Sequence, residues 1–167
     1  MAKPDFKIPV KCGEKFELSV EDIASSGDGI SHYKGYTLFV PQAVKRDRVF
    51  VEVIKTTPRF GVTRLIKLIT HSTDRTIPEC PIYFECGGCQ LQHIKYDEQM
   101  AFKKKVVKDS FERIGKIKLD FDRFASLTTG PETIPARQPF FYRNKGIFSL
   151  KRTRKGLKVG FFAKGTH

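Results

Sequence analysis

Three of the four cysteines in this chain fall within ten residues, Cys80, Cys86 and Cys89, in the spacing C-x5-C-x2-C. Thiolates this close in sequence can converge on one metal centre. The two residues between Cys86 and Cys89 are Gly87 and Gly88. Glycine tolerates the positive φ that a tight turn around an ion often needs, and it lets backbone N–H groups approach sulfur. His93 follows four residues after Cys89. A structural zinc held by Cys80, Cys86, Cys89 and His93 is one reading, because three cysteines and one histidine form a closed tetrahedral set. An iron–sulfur cluster is a second, and it normally takes four thiolates. A cluster with one open iron is a third, although radical enzymes usually carry a tighter spacing. The bland alternative is a disulfide with an odd thiol. Nothing in the chain suggests export, and cytosolic cysteines usually stay reduced.

The 167 residues fit one or two small domains. The N-terminal stretch lacks the apolar block of a signal peptide, and no apolar run is long enough for a transmembrane helix. The expected location is therefore cytoplasmic. The formal net charge is +13, which points to a polyanionic partner, nucleic acid above all. The excess is uneven. Residues 1–70 carry 12 Lys and Arg against 8 Asp and Glu, and residues 71–167 carry 19 against 10. A basic surface kept for solubility would show the same total. Fifteen Phe and five Tyr interleave with the charge. Exposed aromatics could stack on bases, but most of the Phe read more simply as core.

Residues 1–14 read as a polar arm in which Cys12 is a lone thiol. Residues 15–70 read as all-β. Phe16, Leu18 and Val20 alternate with polar positions, and residues 25–29 form a turn. Two short strands flank Lys34-Gly35 as a hairpin. Residues 48–55 put Val49, Val51 and Val53 on one face and Phe50, Glu52 and Ile54 on the other, a central strand. Residues 61–70 supply one more strand. About five short strands in so few residues fit a small closed barrel, since closure removes exposed edges. Residues 71–79 read as a linker. Residues 97–114 form the one clear helix, with Asp97 as N-cap and Gly115 as stop. Its apolar face holds Met100, Val107, Phe111 and Ile114, with Phe102 and Val106 beside it. Lys103, Lys104, Lys105 and Lys108 read as a solvated basic face. Residues 116–139, with Pro131, Pro135 and Pro139, read as a connection, with one short strand at 121–127. Residues 140–162 read as a hairpin around Arg154-Lys155-Gly156.

The segment from Cys80 to Gln99, C-P-x4-C-G-G-C-Q-L-Q-H-I-x-Y-x-x-Q, resembles the cluster segment of the bacterial RNA (uracil-5-)-methyltransferases, the 23S rRNA branch in particular. The resemblance implies a 4Fe–4S cluster on Cys80, Cys86 and Cys89, with a fourth cysteine shortly after the position of His167. It leaves His93 as a motif residue, and as a ligand only if the metal is zinc. Residues 21–30 (E-D-I-A-S-S-G-D-G-I), Leu38-Phe39-Val40-Pro41 and residues 47–53 resemble the TRAM domain, an OB-like RNA-binding barrel that precedes the cluster in that family. One departure stands out: the family usually has Pro-Gly where this chain has Lys45-Arg46. Tyr142-Arg143-Asn144-Lys145 matches a Y-R-N-K motif, followed in order by Gly160-Phe161 and His167.

The fold expected is mixed β and α+β: an N-terminal arm (1–14), a TRAM barrel (15–70), a linker (71–79) and an iron–sulfur segment with one helix and a hairpin (80–167). The candidate RNA contacts are Lys34, Lys45, Arg46, Arg143, Asn144 and Lys145. By resemblance the full-length enzyme uses S-adenosylmethionine to methylate C5 of a uracil in rRNA. A catalytic cysteine adds to C6 and activates C5 as a nucleophile. The cofactor domain and that cysteine are expected in the part of the family architecture not present in these residues. A stand-alone zinc-stabilised, non-enzymatic RNA-binding module is the competing expectation.

Overall fold

The computed structural model describes residues 8–118, 133–164 and 166. They divide between two compact units, one ending at Ile77 and the other beginning at Pro78.

The first unit is a single sheet of six strands: β1 (Lys15–Ser19), β2 (Asp22–Ile23), β3 (Gly29–Tyr33), β4 (Tyr36–Val40), β5 (Arg48–Thr56) and β6 (Phe60–Thr70), in the order β1-β5-β6-β4-β3-β2. Alternation makes these strands. Tyr36, Leu38 and Val40 of β4 and Val49, Val51 and Val53 of β5 are buried, while the residues between them face outward. The neighbours pair antiparallel except β4 and β6, which are parallel. The two edge strands, β1 and β2, are separated in sequence only by Val20 and Glu21. The sheet must therefore curl until its edges meet at that bend. Val20 N–H donates to Asp47 O (2.9 Å), Glu21 N–H to Ile30 O (2.8 Å), and Ser31 Oγ to Ser19 O (2.8 Å). Counted as one bent strand, β1–β2 begins a five-stranded barrel ordered one-two-three-five-four and back to one, the connectivity of an OB-fold. Closure hides the edges that a flat sheet would expose.

The β3–β4 turn is the two-residue one expected, with Lys34 at φ 49 and Gly35 at φ 78. Both are left-handed, which matches the twist of the flanking strands. β5 lies between β1 and β6 as expected of a central strand, although its Ile54 is half exposed. Residues 72–75 of the expected linker are clasped to the barrel through Asp47. This buried carboxylate accepts from Val44 N–H (2.6 Å), Ser72 N–H (2.9 Å) and the Arg75 guanidinium (2.6 Å from Nη2).

The second unit contains α1 (Tyr96–Asp109), continued by one wide turn over Ser110–Ile114, and the hairpin β7 (Ser149–Thr153) and β8 (Gly156–Gly160). Three expectations change here. Lys95, not Asp97, is the N-cap; Asp97 and Glu98 lie in the first turn, where they suit the helix dipole. The helix buries no residue, and Val107, Phe111 and Ile114 are exposed. The first hairpin strand starts at Ser149 rather than at residue 140. Pro139 has no N–H for a ladder, and Phe141 stands at φ 59, so the chain is broken there. Tyr142-Arg143-Asn144-Lys145 therefore sits in irregular chain. Among the described residues no Phe is fully buried, contrary to the core role expected of most of them. The strand expected at 121–127, Pro131 and His167 lie outside the described residues. No described helix is long and apolar enough to cross a membrane.

Candidate functional site

Residues 79–95 form neither helix nor strand beyond single bridge residues at Cys86 and Ile94, and are held by turns. Tyr83 N–H donates to Cys80 O (3.1 Å), Cys86 N–H to Ile82 O (2.9 Å) and Ile94 N–H to Leu91 O (3.0 Å). Tyr83, His93 and Ile94 are buried and give the loop a small core. The Tyr83 hydroxyl donates to Gln90 O (2.6 Å) and also lies 2.6 Å from His93 Nδ1. One hydroxyl proton cannot serve both, so His93 donates from Nδ1 to the phenolic oxygen. Cys80 is tied to the same core, its N–H donating to Gln92 Oε1 (3.3 Å).

The loop is stitched to the segment after β8. Cys86 bridges Ala163 in antiparallel fashion; Gly87 N–H donates to Phe162 O and Lys164 N–H to Glu85 O, both at 2.9 Å. A Cβ on Gly87 would stand 2.9 Å from Phe162 O. Gly87 is thus required by close backbone approach, and neither it nor Gly88 takes a positive φ. Gly88 N–H donates to Cys86 Sγ at 3.3 Å, the approach to sulfur anticipated from the sequence. Lys164 Nζ sits 4.2 Å from the Tyr83 ring centroid, a cation over an aromatic face.

All four cysteines are free thiols; Cys80 and Cys86 are partly buried, and Cys89 is exposed. The donor set fits a thiolate-bound soft metal in its chemistry. One sulfur already accepts a backbone N–H, as cluster sulfurs do. Among the described residues, however, no three His, Cys, Asp or Glu side chains stand together as a metal-holding group. Binding would have to draw the three thiols closer. Cys12, in the first unit, has its Sγ 4.0 Å from Thr56 Oγ1.

Of the basic candidates, Lys34 lies at the β3–β4 tip with Nζ 5.3 Å from the Tyr33 ring centroid. Lys45 is exposed. Arg46 grips Asp74 through Nη2 at 2.7 and 2.5 Å. Its φ is 73, the left-handed conformation that glycine takes without strain. The Arg46–Asp74 pair and the Arg46 N–H bond to Val20 O (2.8 Å) hold it there. Arg143, Asn144 and Lys145 are exposed. Glu52 is held below the usual carboxylate range chiefly by its hydrogen bond from Arg64. In α1, Lys105 pairs with Asp109 (3.0 Å), whereas Lys103 and Lys104 are exposed.

Comparison with known proteins adds what this geometry cannot. No protein-family profile matches the chain. It is 41% identical over 160 residues to an uncharacterized RNA methyltransferase of Clostridium acetobutylicum, covering 96% of this chain and 34% of that protein. The chain is a homologue of RNA methyltransferases. A second such protein, from Halalkalibacterium halodurans, is 36% identical over 167 residues, all of this chain and 35% of that protein. The chain thus spans about a third of the length of the curated relatives it matches. A conserved protein of Methanococcus maripaludis solved in solution is 33% identical, covering 40% of this chain and all of its own, with a TM-score of 0.36.

Proposed function

We propose that these residues are the RNA-binding and 4Fe–4S-bearing portion of an S-adenosylmethionine-dependent 23S rRNA (uracil-5-)-methyltransferase. The observation that carries this reading is the alignment of nearly the whole chain with a third of proteins named RNA methyltransferases. The barrel and the charge of +13 suit a nucleic-acid partner. The TRAM resemblance of residues 15–70 supports the same role.

Cys80, Cys86 and Cys89 would hold the cluster, whose part is to brace the fold. The resemblance places the fourth ligand shortly after His167. The pairing of Lys164 with Glu85 carries that stretch of chain back to the cysteine loop. His93, buried and bonded to Tyr83, would shape the loop rather than bind metal. The residues of this chain bind and position RNA. The methyl donor and the cysteine that attacks C6 of the uracil belong to the remainder of the longer protein.

Anaerobic purification with iron, sulfide and zinc analysis tests the cluster. A brown protein with iron matched by sulfide is expected. A colourless protein with one stoichiometric zinc would overturn the cluster and favour the zinc-stabilised module on Cys80, Cys86, Cys89 and His93.

A further inference from the structure

The inward positions of β4 and β6, among them Leu38, Gly61 and Thr63, are buried, so Thr37, Phe39, Phe60 and Val62 face outward. The cross-strand registers set them in two rows. Ile30, Phe39 and Val62 form one; His32, Thr37 and Phe60 form the other. Phe60 is 37% exposed, and the edge of one ring meets the face of the other in the Phe39–Phe60 pair, with centroids 5.3 Å apart. The turn that presents Phe60 is rigid. Thr57 Oγ1 donates to Phe60 O (2.6 Å) and accepts from Phe60 N–H (3.0 Å). The buried Tyr36 donates its hydroxyl to Thr57 O (2.7 Å). Tyr36 directly follows Lys34-Gly35, so it ties both turns to one end of the barrel. That end carries the exposed cations Lys34 and Arg59. Two carboxylates border this face: Asp22, in register with Ile30, and Glu21, which His32 engages at 2.8 Å.

The geometry points to the outer face of β3, β4 and β6 as a platform for single-stranded RNA. A base stacks on Phe60, buttressed by Phe39, while Arg59 and Lys34 neutralise the flanking phosphates. A flat aromatic ring beside exposed cations suits an unpaired nucleotide better than a duplex, whose bases are already stacked. This inference rests on the RNA-binding reading above and names the surface that does the binding.

The test is fluorescence anisotropy of the full chain with a short fluorescein-labelled oligouridine and with an RNA duplex of equal length. Phe60→Leu keeps apolar bulk but removes the π-face. It should weaken single-strand binding roughly 5- to 100-fold, while Phe60→Trp should retain it. Arg59→Ala should weaken binding of any sequence and lower the salt slope by about 1. Unchanged melting curves would separate these effects from misfolding. If the wild-type chain binds and Phe60→Leu binds equally well, the platform is wrong and the RNA-binding reading stands. If the duplex binds as tightly as the single strand, the platform is likewise wrong. If the wild-type chain binds neither RNA, both fall.

Discussion

In the barrel, ten apolar side chains from Val10 to Val53 form one buried cluster. In the second unit the buried apolar side chains among the described residues are Tyr83 and Ile94, and both faces of the β7–β8 hairpin are largely exposed. An isolated two-stranded hairpin is marginal in water. The barrel therefore owes its stability to hydrophobic burial, with Asp47 and Arg75 locking its last segment. The second unit relies on turns, one phenol–imidazole contact and the stitch between Glu85–Gly87 and Phe162–Lys164. Small units with little core often gain stability from a bound metal, because metal binding is then also folding free energy. Three thiols in the unit with the least core are consistent with that arrangement.

The largest test of this contrast is Asp47→Ala. It leaves Arg75 charged and nearly buried without its partner and removes an acceptor from Val44 and Ser72. A loss of about 3–5 kcal/mol is expected, seen in urea unfolding by circular dichroism, with hydrogen exchange in residues 80–94 unchanged. Faster exchange in both units would break the contrast. Gly87→Ala should cost about 1–3 kcal/mol and act only on the second unit, since its methyl group would meet Phe162 O at 2.9 Å. Limited proteolysis should then cut residues 80–94 sooner while the barrel resists. Arg46→Gly should change barrel stability by less than about 1 kcal/mol. It relieves a left-handed residue but gives up an ion pair whose Arg46 side chain is 61% exposed. A large loss would mean that the pair with Asp74 is a true clasp. The smallest effect is that of Glu52. Its depressed carboxyl pKa adds stability that is present above the unfolded carboxylate value and lost as pH falls through the folded one. Glu52→Gln should lower stability slightly at neutral pH, where that contribution is present, and converge with the wild type at acid pH, so that the acid limb of the stability curve flattens.

Much of the barrel was legible because its strands obey the two-residue period and its hairpin turn is marked by Lys34-Gly35. The bend at Val20 was not, because the same residues serve both edges of the sheet and only long-range pairing reveals it. The left-handed Arg46 was hidden for a related reason. Nothing local favours that conformation, and Asp74, 28 residues later, supplies the support. In the cysteine loop, the approach of a backbone N–H to sulfur was legible from Gly87 and Gly88, and Gly88 N–H donates to Cys86 Sγ. The stitch to Ala163 was not, since it joins segments with no shared pattern. The outward placement of Phe39 and Phe60 was not legible, because apolar residues in a strand look alike on either face until register is known.

The most direct measurement is hydrogen exchange by mass spectrometry on the full chain, before and after anaerobic incubation with ferrous iron and sulfide. Protection should rise across residues 80–94 and 160–164 as the protein turns brown, with residues 15–70 unchanged. A chain that takes up no iron, or takes it up with no added protection at the cysteine loop, would contradict the claim that the second unit gets from thiolate ligation what the barrel gets from its core.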